Sequence, residues 1–306
     1  MGGRPLIGVC LKWVERRPEV DPLTGEVATD ARTSGASEAD QSALEWALRL
    51  GEAWRGEVVA VTAGAAEAEP MLREALAAGA DRAVRVDLPA GAASAAVAAG
   101  LAEALAGVTA VVCGDWSLDR GSGSVPAFLA ARLGAAQALG LVAIELDAPG
   151  SGSVGPDSGM PPRDAPGAGG AGRAGPVVRV ARRLDGGRRE RLTVAAPMVL
   201  SVEGRDRLRR ADLDGLLRAR TAPIEVVPAP EAAAAPWADV PPLRTGPYRP
   251  RPRVLPPPEG GSARERILAL TGALVDRTPP ELVTLAPAAA ADRLLAQLRT
   301  WGYLDR

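Results

Sequence analysis

The stretch Val180 to Ser201, VARRLDGGRRERLTVAAPMVLS, decides how this chain folds. Runs of alternating apolar residues flank Asp185-Gly186-Gly187, and glycine supplies the positive φ that a tight reversal between antiparallel strands needs. The reading is a β-hairpin whose return arm ends at Pro197 and gives way to a compact apolar run, Met198-Val199-Leu200. Upstream, LVAIELDA and PVVRVARRL both have strand character, so residues 150–175 between them form an overgrown hairpin loop. That segment, GSGSVGPDSGMPPRDAPGAGGAGRAG, carries almost no large apolar residue and cannot offset its own ordering entropy, so it is expected to be disordered.

Towards the N-terminus the pattern is regular. PLIGVCL reads as a buried strand, and SEADQSALEWALRLGE as an amphipathic helix. Ser37 stands three residues before Asp40, a capping-box spacing, and Gly51 lies near the helix end. EVVAVTAG (strand), EAEPMLREALAAG (helix closed by Gly79), AVRVD (strand), Ala92 to Leu105 (helix) and TAVVCG (strand) follow with short connections. Such alternation predicts a doubly wound, mostly parallel α/β sheet with helices on both faces, binding ligands at the carboxyl ends of its strands. After PIEVV the chain becomes proline-rich through APWADVPPLRTGPYRPRPRVLPPP, an extended arm. It ends in two helical patterns, the first behind a Ser262 cap. The expected division is an α/β domain over 1–227 and, over 228–306, an arm whose Leu294, Leu295 and Leu298 face packs on a partner.

Composition narrows the chemistry. The 306 residues carry 36 Lys+Arg against 37 Asp+Glu, so no global field recruits nucleic acid or an anionic membrane. The absence of histidine removes Ser-His-Asp and Cys-His catalysis and the commonest ligand for zinc or haem iron. Cys10 and Cys113 each lie in an apolar run and read as core thiols of a reducing compartment. No run is long and apolar enough for a signal peptide or a membrane span, so a cytoplasmic protein is expected.

The hairpin carries more than a turn. Val180, Arg182, Asp185-Gly186-Gly187, Glu190, Leu192, Pro197 and Val199-Leu200-Ser201 resemble, position for position, the signature of the electron-transfer flavoprotein beta subunit. ALEWALRL is similar to that family's first helix, LREALAAGADRAVRV to its next helix, turn and strand, PIEVV to the strand closing the domain, and DRLLAQLRTWGYL to its C-terminal arm helix. The insertion at 150–175 and much of 228–276 have no counterpart, and together they resemble a divergent actinobacterial branch associated with the mycofactocin redox system. The resemblance implies a fold of the adenine nucleotide alpha hydrolase-like type and a noncatalytic subunit. Its partner, an alpha subunit, holds most of the FAD. This chain would bind a structural AMP, or a second FAD in electron-bifurcating members that oxidise NADH. It would take electrons from flavoprotein dehydrogenases and pass them towards a quinone oxidoreductase. A stand-alone nucleotide-binding module of the universal-stress type shares the sheet and is the rival from another class.

The nucleotide residues follow from both lines. Gly121, Ser122, Gly123 and Ser124 precede a helix starting near Val125, and such a loop can turn backbone N–H groups towards a phosphate at a helix N-terminus. In the family this place reads acidic residues followed by Asn-Gln-Thr-Gly; Asp119 and Ser122 are unchanged here, and Val125 replaces the threonine. Backbone contacts from Gly123, Ser124 and Val125 survive such changes, since any residue but proline supplies an N–H. The resemblance adds two loops, Gly8-Val9-Cys10 after the first strand and Ala63-Gly64 after VVAVT, and Ser37, which can cap its helix, touch the nucleotide, or both. The family's tyrosine beside the flavin has no clear match among Trp13 to Arg17. RRADLDGLLRARTAPIEV aligns without a gap to the family's recognition loop, placing Leu213 on its leucine anchor, with Leu216, Leu217, Arg218 and Arg220 following at helical spacing. Read without the family, this is a short amphipathic helix capped by Asp212 or Asp214.

Overall fold

The computed structural model describes residues 4–89, 91–146, 175–229, 260–271 and 282–303. The expected disorder of the insertion, Gly175 apart, and most of the proline-rich arm lie outside the described residues. Nine strands form one sheet: β1 (Leu6–Cys10), β2 (Glu57–Ala63), β3 (Arg82–Asp87), β4 (Ala110–Gly114), β5 (Ala136–Glu145), β6 (Val177–Arg183), β7 (Arg189–Ala195), β8 (Met198–Val202) and β9 (Ile224–Pro228). Their order is β7-β6-β5-β8-β4-β1-β2-β3-β9. Every pairing from β5 across to β9 is parallel, whereas β6 runs antiparallel to both β5 and β7.

Successive strand residues face opposite sides, and both sides are covered. Ile7 and Val9 of β1 share a core with α1 (Glu38–Trp54) and α2 (Glu69–Ala78), while Cys10 shares the opposite core with α3 (Ser94–Ala104) and α4 (Val125–Leu133). This is the doubly wound sheet that the alternating pattern predicts. In the hairpin, Val180 pairs with Leu192, and Gly186 (φ 70) and Gly187 (φ 75) make the reversal in open space, so backbone conformation alone calls for glycine there. Two arginines of its first arm are paired: Arg182 with Glu190 at 2.5 Å and Arg183 with Glu203 at 3.0 Å.

Two boundaries differ from the sequence reading. β5 begins at Ala136, before LVAIELDA, because its first residues pair with β8. Helix α1 runs past Gly51 to Trp54 and stops on Arg55, itself left-handed at φ 50. Gly51 instead makes room for β2, since a Cβ there would stand 2.5 Å from the Val58 side chain.

Helix α5 (Leu213–Thr221) packs on α2 through Gly215, where a Cβ would lie 2.4 Å from the carbonyl oxygen of Ala77. Gly215→Ala is expected to destabilise the domain by about 1–3 kcal/mol, because a backbone clash outweighs the better helix propensity of alanine. Chemical denaturation of the two proteins checks this, and a variant as stable as wild type would contradict it.

Contacts divide the chain into two compact units, Met1–Tyr248 and Arg249–Arg306. The second contains α6 (Ala263–Thr271) and α7 (Pro287–Thr300). Ser262 caps α6 reciprocally, accepting from Glu265 N–H at 3.2 Å while its own N–H donates to the Glu265 carboxylate at 3.1 Å. No residue of α7 is buried, and Leu294 and Leu295 are exposed. Among the described residues no helix is long and apolar enough to cross a membrane.

Candidate functional site

The chain runs outward from β1 through β2 to β3, then returns to β4 on the other side of β1. At such a reversal the connections leave in opposite directions and open a crevice at the strands' carboxyl ends. Lys12, just after β1, bridges it: its Nζ donates to both carboxylate oxygens of Asp119 at 2.6 Å and to Ser117 Oγ at 3.3 Å. Burial works to raise the Asp119 pKa, but the bonds from Lys12, Ser117 and the Arg120 N–H outweigh it and hold the carboxylate below its ordinary value.

Beneath the bridge lies Asp40. Ser37 caps α1, accepting from Asp40 N–H at 3.1 Å and donating its hydroxyl to Asp40 Oδ2 at 3.0 Å; the Lys12 N–H reaches the same oxygen at 3.4 Å. Burial dominates all of these and lifts the Asp40 pKa from 3.8 to about 6. The folded chain therefore holds this proton where the unfolded chain has lost it. The associated stability is full below pH 3.8 and is lost as pH rises through about 6. Asp40→Asn, which keeps an acceptor for both donors, is expected to stabilise the protein at pH 7 by about 1–3 kcal/mol and to be neutral below pH 4. Thermal melts across that range test it; a gain independent of pH would mean that ionisation of Asp40 is not the cause.

The loop over α4 is built on left-handed glycines. Gly121 has φ 62 and donates to Ser117 O at 2.9 Å, and a Cβ on Gly123, φ 57, would stand 2.4 Å from Asp115 O. Ser124 does not cap α4; its hydroxyl lies 3.0 Å from that of Ser122. The first turn of α4, with Val125 at its head, thus has no side-chain acceptor on its N–H groups among the described residues. Arg120 ties this loop to the approach of α3 through Gly91 O and Ala92 O.

The structure places Asp119, Ser122, Gly123, Ser124 and Val125 on one loop and helix end, and Ser37 apart from them, capping α1, which packs on the opposite face of the sheet from α4. The Gly8-Val9-Cys10 expectation needs correcting: these residues lie inside β1, not in a loop after it. Val9 is fully buried, and Gly8 is a glycine because a Cβ would stand 2.6 Å from the side chain of Leu105. Cys10 pairs in register with Cys113. Both thiols are free and buried, and the contact with Cys10, then burial, pushes the Cys113 pKa up. Ala63 closes β2, and both backbone groups of Gly64 are engaged, its N–H to Val86 O at 3.0 Å and its carbonyl to Arg85 at 2.9 Å. Lys12, Arg85 and Arg120 are not singled out by the sequence, and Asp40 only as the capping-box partner of Ser37. Only the position of Lys12, directly after the strand at the reversal, was a usable signal.

On the other side of loop 115–124 lies a cleft of about 960 Å³, between the start of α1 and the carboxyl end of β8. Ser37, Asp115, Trp116, Arg16, Arg17 and Arg205 are among its walls, and of the expected nucleotide residues only Ser37 reaches it.

The expected docking segment is helical from Leu213, and its cap is Asp212, which accepts from Gly215 N–H at 2.6 Å. Leu213 is 71% exposed, and Leu216, Leu217, Arg218 and Arg220 are also exposed. Arg73 clamps the far end of the helix through Ala219 O at 2.8 Å and Ala222 O at 3.2 Å.

Comparison with known proteins agrees with this architecture. Protein FixA of Rhizobium meliloti (strain 1021) is 30% identical over 223 residues, which cover 69% of this chain and 68% of that protein. Residues 24–232 match the electron transfer flavoprotein domain, a span holding the α4 loop, the hairpin and α5, and on these grounds the chain belongs to the electron transfer flavoprotein domain family.

Proposed function

We propose that the chain is the beta-type subunit of a heterodimeric electron-transfer flavoprotein, a carrier rather than a catalyst, passing electrons from flavoprotein dehydrogenases towards a quinone oxidoreductase. The observation that carries this reading is the β1/β4 reversal under a glycine loop that leaves the start of α4 uncapped. A structural AMP fits there. Backbone N–H groups of Gly123, Ser124 and Val125 would hold its phosphate, Lys12 would balance its charge, and Ser37 would adjoin it from α1. Two features support the fit: Gly123 keeps its turn only without a side chain, and the buried hydroxyl of Thr62, at the end of β2, has no hydrogen-bond partner among the described residues. Ala63 and Cys10 end the strands below, where they would form the floor.

FAD, held mostly by the alpha subunit, supplies the electron chemistry when bound. The residues of this chain bind, orient and exclude water. In the same reading residues 1–227 form the nucleotide domain, the arm of 228–306 packs on the alpha subunit, and Leu213 with its basic neighbours docks the donor. A cytoplasmic setting and the mycofactocin-associated branch belong to this proposal too, the latter supported by the insertion and the proline-rich arm.

The test is to coexpress the chain with an electron-transfer flavoprotein alpha subunit, release the bound molecules and count them. Equal amounts of FAD and AMP are expected. Two FAD without AMP would replace this reading with the electron-bifurcating one, towards which Val125 at the threonine position already points. A stable monomer that binds nucleotide and never acquires flavin would replace it with the universal-stress type.

A further inference from the structure

Asp40 touches both strands of the reversal. Its Oδ2 accepts from the Lys12 N–H at 3.4 Å, just after β1, and a Cβ on Gly114, the last residue of β4, would stand 2.8 Å from its Oδ1. The nucleotide reading gives this carboxyl no part. We propose that Asp40 is a positioning residue that acts through Lys12 to link nucleotide affinity to a proton: the protonated acid favours the bound nucleotide, and the carboxylate opposes it. The inference rests on the reading that Lys12 faces a phosphate. Asp40 is 5% exposed, and among the described residues its donors are the Ser37 hydroxyl and backbone N–H groups, with no Lys or Arg side chain bonded to it. Such neutral donors do not offset the desolvation of a full charge, so the buried acid keeps its proton to higher pH than an exposed one.

The Lys12 ammonium favours the Asp40 carboxylate through space while its own bonds go to Asp119 and Ser117. A phosphate drawn to that ammonium cancels part of this influence and adds negative charge nearby, so binding lifts the Asp40 pKa further above its free value of about 6. Linkage is reciprocal: a proton held more tightly in the complex strengthens the complex in return. Affinity is therefore full below about pH 6, where Asp40 is protonated bound or free, and falls as pH rises through that value. The other groups around Asp40 are accounted for. Ser37 on its own helix is neutral and Glu38 is exposed, and Cys113, facing it from β4, is kept protonated by its contact with Cys10 and by burial. The segment after β8 packs on α1 with Gly204 against Ala39 and Glu38, and its carboxylates turn elsewhere, Glu203 to Arg183 and Asp206 to Arg49 and Trp46. Asp115, one residue past β4, also has a raised pKa, from burial and from Glu203, and is the rival source of a pH profile.

The test measures labelled AMP by equilibrium dialysis against the full chain in complex with an alpha subunit, comparing wild type with Asp40→Asn across mildly acidic to mildly basic pH. The AMP phosphate itself titrates near about pH 6, so the readout is the ratio of the two affinities, from which that shared effect cancels. The ratio of wild type to variant is expected to fall about ten-fold, starting near about pH 6, a coupling of ordinary size. Ser37→Ala removes a hydroxyl that favours the carboxylate, so its fall should start at higher pH. A ratio that is the same at every pH would make Asp40 merely structural or pass the profile to Asp115, and either result overturns the proposal. A fall that starts at the same pH in Ser37→Ala overturns it too. No AMP binding at any pH would end the nucleotide reading itself, and this inference with it.

Discussion

Leu213→Ala is expected to weaken docking of the cognate dehydrogenase about 30- to 150-fold, the equivalent of about 2–3 kcal/mol for a leucine side chain seated in a well-formed pocket. The side chain stands 71% exposed at the head of α5, so its loss removes nothing from the core. The helix beneath it is held by the Asp212 cap, the Gly215 approach and the Arg73 clamp, none of which involves Leu213. The melting temperature and flavin content of the heterodimer should therefore match wild type. Replacing Arg218 and Arg220 should act differently, lowering the association rate in a salt-dependent way. Dehydrogenase-coupled flavin reduction across a titration of the carrier measures both. Unchanged kinetics for Leu213→Ala would end the docking assignment.

Arg209→Ala is expected to cost about 2–4 kcal/mol of folding stability, the upper part of the range for breaking a buried pair being lowered because Arg209 is partly exposed. Arg209 donates to Glu45 through its backbone N–H at 3.1 Å, Nε at 3.0 Å and Nη2 at 3.1 Å, and also pairs with Glu52. Glu45 is buried, and burial works to raise its pKa; the bonds from Arg209 and Arg49 outweigh that and hold it below its usual 4.5. The stabilisation is thus present above pH 4.5 and is lost as pH falls through the lower folded value. Urea denaturation should show a gap between wild type and variant that is full at neutral pH and narrows in acid. A gap of the same size at every pH would assign the loss to packing and not to charge.

The sheet was legible because its signals are local. Alternation with period 2 in β6 and β7, the helical spacing in α1 and the glycine closing α2 each follow from a few neighbouring residues. The α5 helix is legible from the spacing of its leucines and arginines, although the sequence leaves Asp212 and Asp214 as alternatives for the cap. Contacts across long separations were not legible. Gly8 looked like a loop glycine because nothing near it in sequence announces Leu105, ninety-odd positions later, leaning on the strand. Lys12 and Asp119 are 107 residues apart and meet only because β1 and β4 are neighbours. The buried Asp40 carboxylate was noticed only as a capping-box partner, since its cost arises from burial under other elements. The cleft walled by Arg16, Arg17 and Arg205 draws on separate segments and has no linear signature.

The joint between β5 and β6 gives the architecture an open seam. These strands are antiparallel neighbours, with Glu145 opposite Arg179, so their facing ends lie side by side however many residues join them. The entropy of closing a connection grows only with the logarithm of its length, about 0.6 kcal/mol for each doubling. The connections that pass through a helix must instead cross a face of the sheet to bring the next strand into register, and cannot change length so freely. New sequence can therefore accumulate at this hairpin without re-registering the parallel strands, which makes it a natural place for a tag, a tether or a second module to be grafted.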